Sequence, residues 1–302
     1  MNAQSDLVTR ILELKNRRNA IILAHNYQLG EVQDIADFVG DSLELSRKAA
    51  GVEADVIVFC GVHFMAETAK ILSPNKTVLL PDIHAGCPMA DMINAVQLRE
   101  FKAQYPGMPV VAYVNTSAEV KAESDVCCTS ANAVRVVESV DAPEVLFVPD
   151  KSLGAYVASK TSKSVVLYPG YCPTHHRILS RDVMEQKAAH PNAKVVAHPE
   201  CTMDVIGLAD AVASTSGIIR YVAESKDGEF IICTERGLLH RLRKDNPDKQ
   251  FYNPGNLNVC PNMKKITLEK VLWSLEDMVF QIEVLEDVIR KARTAIERML
   301  AV

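Results

Sequence analysis

The sequence predicts an α/β protein: three pseudo-threefold-related, three-layer α/β/α domains whose parallel sheets surround a central active site. Three observations carry the prediction. Short strands such as Val56–Cys60 and 165–168 are apolar at nearly every position, as parallel strands buried on both faces are. Between the strands lie stretches with helical spacing, ELSRKAAG, ANAVRVVES and GIIRYVAES. One set of markers recurs three times in the same phase, which is the signature of a repeat.

The repeat emerges by counting from a ring residue that closes a strand in each unit: His25 after IILA, Tyr113 within VVAYV, and His198 after KVVA. Twelve positions on stands an aspartate, Asp37, Asp125 and Asp210. Seventeen positions on stands a hydroxyl, Ser42, Ser130 and Thr215. Thirty-five positions on a second strand ends, at Cys60, Val148 and Cys233. At 62, 59 and 62 positions comes a Cys-Pro pair: Cys87–Pro88, Cys172–Pro173 and Cys260–Pro261. Coincidence could align the hydroxyls or the aspartates alone, but not all of these with three Cys-Pro pairs.

Each unit, 85 to 88 residues long, reads strand, helix, strand, helix, strand. The predicted domains are 1–105 with an N-terminal helix, 106–190, and 191–302 with a C-terminal helix. The three hydroxyls precede helical stretches, where N-caps belong, and the aspartates before them read as structural. Two outer helices are expected, one near 5–18 and one over 267–300. The second carries a stripe of Leu268, Val271, Leu272, Leu275, Met278, Val279 and Ile282 that packs on the body.

With 302 residues and 48 % apolar composition, the chain has ample core and is not disordered. No apolar run approaches the roughly 20 residues of a membrane span, and the N-terminus has no apolar signal core, so a cytoplasmic protein is expected. A net charge of −5 with no basic stripe argues against nucleic acid as a partner; RLRK at 241–244 reads as a solvated face. Eight cysteines in a reducing compartment are thiols or metal ligands, and no CxxC pair is present to make a zinc knuckle.

In open parallel sheets, ligands bind beyond the carboxyl ends of the strands, and every marker falls there. If the three units face one axis, Cys87, Cys172 and Cys260 converge on it. Three thiolates at one point suggest a metal. Zinc commonly draws on close ligand pairs, which are lacking here, whereas a 4Fe-4S cluster accepts ligands from anywhere that folding brings together. Three cysteine ligands leave one open iron site, which favours Lewis-acid chemistry over electron transfer. The other cysteines read as small core residues: Cys60 and Cys233 at equivalent strand ends, Cys128 at the repeat position of Gly40 and Ala213, and Cys201 beside Glu200.

At these residues the chain resembles the quinolinate synthase family. The motifs are AHNYQ (24–28), GDS (40–42), LPDIHAGCPMAD (80–91), AYVNTSAE (112–119), PGYCPTHH (169–176), AHPEC (197–201) and the Cys260 region, and the resemblance covers essentially the whole chain. Some family members carry a CxxCxxC stretch at the third ligand; here CPNMKK leaves Cys260 alone. The resemblance implies condensation of iminoaspartate with dihydroxyacetone phosphate to quinolinate in de novo NAD biosynthesis. It also implies a functional link to an L-aspartate oxidase that supplies the imine.

The resemblance supplies most of the residue roles. Cys87, Cys172 and Cys260 ligate the cluster. Glu200 and Tyr27 are the proton-transfer candidates, with Tyr27, Asn115 and Glu200 forming a ring two positions beyond His25, Tyr113 and His198. The last three, of which His25 and His198 are also acid-base candidates, face the substrate. Ser42, Ser130 and Thr215, with Ser214 assisting, bind anionic groups at helix starts. His175, three residues after Cys172, reaches the cluster or the substrate; His84 and His176 are left outside the site. Three other readings stay open: a zinc or iron hydro-lyase or aldolase on the same cysteines, an iron-sulfur sensor without catalysis, and a purely structural protein.

Overall fold

The structure, a computed structural model, describes residues 3–302. Helix α1 (Ala3–Arg17) leads into unit 1: β1 (Ala20–His25), α2 (Gly30–Ile35), β2 (Phe38–Gly40), α3 (Ser42–Ala50), β3 (Val56–Cys60), α4 (His63–Leu72) and β4 (Thr77–Leu79). Helix α5 (Ala95–Ala103) precedes unit 2: β5 (Val110–Tyr113), α6 (Ala118–Ala122), β6 (Val126–Cys128), α7 (Ala133–Ser139), β7 (Glu144–Val148), α8 (Lys151–Ala158) and β8 (Ser164–Leu167). Helix α9 (Ser180–Ala189) precedes unit 3: β9 (Lys194–Ala197), α10 (Met203–Ile206), β10 (Ala211–Val212), α11 (Thr215–Glu224), β11 (Glu229–Cys233), α12 (Leu238–Asp245) and β12 (Gln250–Tyr252). Helices α13 (Leu268–Asp277) and α14 (Glu286–Leu300) follow.

The three sheets share one topology: the unit's first strand lies between its second and third, and the fourth is outermost. Every pairing within them is parallel. The fold is α/β with three such sheets, each flanked by helices, as the repeat predicts. Each unit carries four strands where the sequence reading has three. The additional members, β2, β6 and β10, are two or three residues long and form one edge of each sheet. Segments so short have no readable period, and pairing with the neighbouring strand creates them.

The repeated aspartates start these edges. Asp37, Asp125 and Asp210 each precede an edge strand, and each Oδ2 accepts the backbone N–H of the central strand, from Ile22, Val110 and Val195, at 2.8 Å. Each aspartate N–H returns a bond to the carbonyl of that same strand residue. The carboxylate extends the ladder one step past the sheet edge and satisfies a donor that would otherwise lack a partner.

Two expectations are corrected here. The residues at 42, 130 and 215 are not N-caps. Asp41 caps α3 in a reciprocal capping box with Glu44, Ser214 caps α11, and Asn132 stands at the cap of α7. Nor is 267–300 one helix. It breaks after Asp277, where Met278 (φ 51°) and Phe280 (φ 59°) turn the chain left-handed. The extended stretch that results pairs with the free edge of β4: Leu80 N–H donates to Phe280 O, and Ile282 N–H to Val78 O. An outermost strand presents unpaired backbone groups, and covering them outweighs helix continuation. The apolar stripe is still buried at Leu268, Val271, Leu272, Leu275 and Ile282.

The helices after the cysteines tie the units into a ring. Helix α5 packs on unit 2 through Phe101 against Tyr168 and Arg99 against Glu123. Helix α9 buries Val183 with Val195 and Ile231 of unit 3. Helix α13 closes the ring on unit 1: the Arg18 side chain of α1's C-terminal end donates to Leu275 and Glu276 carbonyls. Helix α14 returns to unit 2, where Asn132 donates to Met299 O and Arg298 to Asp125 O. The last two helices, assigned by sequence to the third domain, thus pack on the first two. Among the described residues no helix is long and apolar enough to cross a membrane.

Candidate active site

The carboxyl ends of the three sheets enclose one cavity. Unit 1 supplies His25, Tyr27, Ser42 and Cys87; unit 2, Tyr113, Asn115, Ser130, Cys172 and His175; unit 3, His198, Glu200, Thr215 and Cys260. Of the candidates named from the sequence, Ser214 alone does not line it. Its hydroxyl donates to Asp41 Oδ2 and accepts from Gly217 N–H, so it acts as a helix cap behind the wall.

The three cysteine loops are built alike. In each, a single helical turn begins three residues after the cysteine, at Ala90, His175 and Met263, and a helix begins eight residues after it, at Ala95, Ser180 and Leu268. The turns aim backbone N–H groups at the sulfurs: Met89 and Ala90 at Cys87, His175 at Cys172, Asn262 and Met263 at Cys260. Burial pushes all three thiols up, Cys87 to about 12, while these donors favour the thiolate. A buried thiol surrounded by amide donors suits a metal-bound sulfur, whose charge the donors stabilise. Cys60, Cys128, Cys201 and Cys233, by contrast, are fully buried core residues away from the cavity wall.

A hydrogen-bonded chain runs through the cavity wall. Tyr27 Oη lies 2.5 Å from Thr234 Oγ1, and Thr234 Oγ1 lies 2.9 Å from His175 Nε2. On the other side of that ring, His175 Nδ1 lies 2.7 Å from Glu200 Oε2 and 3.2 Å from Cys172 Sγ. Tyr113 Oη donates to Glu200 Oε1 at 2.5 Å. Glu200 is 4 % exposed. Burial alone would raise its carboxyl, but the His175 imidazole, His198 and the Tyr113 hydroxyl hold it well below the usual carboxylate range. Both tyrosines are pushed up, by burial first and by the Glu200 charge second. The resting site therefore holds an ionised Glu200 and neutral phenols.

His25 and His198 repeat one arrangement. The Nδ1 of each accepts a backbone N–H two residues on, from Tyr27 at 3.2 Å and Glu200 at 3.3 Å. That bond leaves the proton of a neutral ring on Nε2, and His198 Nε2 meets Ser130 Oγ at 3.1 Å. Burial lowers both to about 3, so both are neutral donors at physiological pH. His198 also stacks on His175 with ring centroids 4.8 Å apart. Asn115 Oδ1 is buried without a hydrogen-bond partner, and Asn26 Nδ2 donates to Thr215 Oγ1 at 2.8 Å. His84 is exposed, and His176 bonds Ser152 at 3.0 Å, outside the cavity.

Sequence reasoning missed Asp41, Thr234 and Glu235. The capping signature Asp41…Glu44 was readable for the first. For Glu235 the repeat held the signal: two positions past Cys60, Val148 and Cys233 stand Val62, Asp150 and Glu235, all buried. Among the described residues, one trio of donor groups has its ligating atoms all within 4.8 Å of one another: Cys172, His175 and Glu200.

The family model described as Quinolinate synthetase A protein matches residues 9–301. The chain belongs to the quinolinate synthetase A family. It is 60 % identical to a quinolinate synthase of Dehalococcoides mccartyi (strain ATCC BAA-2266 / KCTC 15142 / 195), over 97 % of each chain. It is 58 % identical to quinolinate synthase 1 of Methanosarcina acetivorans, over 99 % of this chain and 98 % of that one. With the quinolinate synthase of Desulforudis audaxviator, identity is 57 % over the full length of both. Membership in the quinolinate synthetase A family makes this an enzyme family member, not a sensor or scaffold.

Proposed function

We propose that the chain is a cytoplasmic quinolinate synthase. It condenses iminoaspartate with dihydroxyacetone phosphate to quinolinate, releasing phosphate and two waters, in de novo NAD biosynthesis. The observation that carries this reading is the relay from Tyr27 through Thr234 and His175 to Glu200, set in a cavity lined by three cysteines. The balance is redox-neutral: a carbon–carbon and a carbon–nitrogen bond form, and the departing hydroxyls and phosphate need protons moved to and from them. An L-aspartate oxidase would supply the imine.

Cys87, Cys172 and Cys260 fit a 4Fe-4S cluster, which when bound supplies one Lewis-acidic iron without a protein thiolate. The chain's own residues do the rest. Ionised Glu200 takes a proton from carbon or nitrogen of the substrate. The neutral Tyr27 hydroxyl donates one to a departing oxygen, and Thr234 and His175 pass the proton back along the chain of hydrogen bonds. Both substrates are anionic, and the Nε2–H of His25 and His198, the hydroxyls of Ser42, Ser130 and Thr215, and the Nδ2 N–H group of Asn115 hold their carboxylates and phosphate.

The test is anaerobic purification with iron and sulfide quantitation, followed by a quinolinate assay with both substrates. About four irons per chain plus quinolinate, both lost in Cys87→Ala, support the reading. Zinc in place of iron favours a mononuclear hydro-lyase at Cys172, His175 and Glu200, the trio whose donors already lie within 4.8 Å. A full cluster without quinolinate overturns the synthase assignment.

A further inference from the structure

Tyr27 belongs to unit 1, yet most of what fixes its loop comes from outside the loop, and much of that from unit 3. Its hydroxyl rests on Thr234. Its carbonyl accepts from Lys264 Nζ, and that ammonium ion also pairs with Glu235, at 3.0 Å from Oε1 and 3.1 Å from Oε2. The carbonyls on either side, Asn26 and Gln28, accept from one side-chain nitrogen, Gln33 Nε2, at 3.2 and 2.9 Å. The same nitrogen reaches Gly237 O at 3.1 Å, and Gln28 Nε2 reaches Met263 Sδ at 3.4 Å. Three consecutive carbonyls of the loop are thus gripped by side chains that meet at 235–237 and 263–264.

Glu235 joins this grip to the third cysteine. It is fully buried. Its Oε1 accepts the backbone N–H of Cys260 at 3.1 Å, and its Oε2 accepts that of Gly237 at 2.7 Å. The approach is so close that a Cβ on Gly237 would stand 2.6 Å from Lys264 Nζ, 2.7 Å from Glu235 Oε2 and 2.8 Å from Tyr27 O. Contacts under 3 Å leave no room for any side chain there.

We propose that Lys264 and Glu235 are positioning residues that lock the Tyr27 loop of unit 1 to the Cys260 loop of unit 3. The pair sets the distance between the proton-donating phenol and the third cysteine, and neither residue acts on substrate itself. The buried carboxylate fixes the Cys260 backbone from one side. The ammonium ion carries that position to the Tyr27 carbonyl on the other. Groups of this kind behind ligands typically change activity about 10- to 100-fold when removed.

The catalytic part of this rests on the role proposed for Tyr27, so one readout is independent of activity. In the metal-free full chain, hydrogen–deuterium exchange of the peptide covering residues 26–29 is compared for the native protein, Lys264→Met, Lys264→Arg and Gln33→Leu. Faster exchange in Lys264→Met and in Gln33→Leu, with the rest of β1 unchanged and Lys264→Arg restoring protection, is the expected result. Exchange at 26–29 that stays native in Lys264→Met overturns the clamp, whatever the enzyme makes. In the loaded enzyme, Lys264→Met should lower kcat about 10- to 100-fold with KM and iron content near native, and Lys264→Arg should recover much of the loss. A fall in kcat that only tracks lost iron or unfolded protein overturns the positioning role.

Discussion

Replacing Glu200 by glutamine separates the chemistry of the site from its architecture. The substitution keeps the shape and removes the charge. The native carboxylate accepts from Tyr113 at 2.5 Å and from His175 at 2.7 Å, both fully buried bonds to an ionised group. A glutamine amide offers one oxygen, so one of the two bonds survives and the other faces an NH2 group. Losing one charge-assisted bond costs about 1.5–3 kcal/mol of stability. Removing a desolvated charge returns part of that, so the melting temperature should fall by no more than about 4 °C for each kcal/mol lost and the fold should persist. Catalysis depends on the base itself. Loss of a general acid–base group lowers the rate about 10²- to 10⁴-fold, or ~2.7 to 5.5 kcal/mol in activation free energy. The assay is quinolinate formation with iron content and thermal melting measured on the same preparation. A Glu200→Gln enzyme that keeps its iron and its fold and retains kcat within about threefold refutes the assignment of Glu200 as base.

Other predictions follow from the same geometry. His25 and His198 carry pKa values of about 3 in the folded chain against 6.5 when exposed. The unfolded state therefore binds protons first; these two residues leave stability intact above pH ~6.5 and lower it as the pH falls toward 3, by several kcal/mol in total. Melting curves from pH 4 to 8 should show this slope, and it should flatten in His25→Asn and His198→Asn. Asp125→Ala removes the acceptor for Val110 N–H and should cost ~1 kcal/mol in urea denaturation; the equivalent Asp37 and Asp210 variants should cost a similar amount. Gly154→Ala would place a Cβ 2.4 Å from Leu167 Cδ2 and 2.9 Å from Phe147 Cδ1, and should destabilise by about 1–3 kcal/mol without touching kcat.

How much was legible depends on whether a residue announced itself through a period. The nearly continuous apolar strands β3 and β11 did, because burial on both faces leaves no polar position to blur them. The in-phase ring residues, aspartates and Cys-Pro pairs did, because one unit written three times repeats its functional positions at the same count. The capping box at Asp41 was readable and still passed over, because the recurring hydroxyl beside it was the more visible marker. Thr234 and Glu235 fell one and two positions beyond a marker already counted, where the equivalents, Gly61 and Pro149 for the first and Val62 and Asp150 for the second, differ in chemistry and hide the correspondence.

By itself the sequence determined three things about this protein: the α/β class, the three-unit repeat, and the set of side chains that would face one axis. These follow from local patterns, since strand burial, helix spacing and repeat phase are each written over a few neighbouring residues. Only the tertiary structure decided the rest. It closed the ring by laying α13 on unit 1 and α14 on unit 2, and broke the last helix to cover the edge of β4. It took Ser214 out of the cavity to serve as a cap. It joined Tyr27 to Thr234, His175 and Glu200 across as many as 207 positions of sequence. Hydrogen bonds between units have no sequence period, because each is made by whichever donor the packing of whole sheets brings opposite an acceptor that burial has stripped of water.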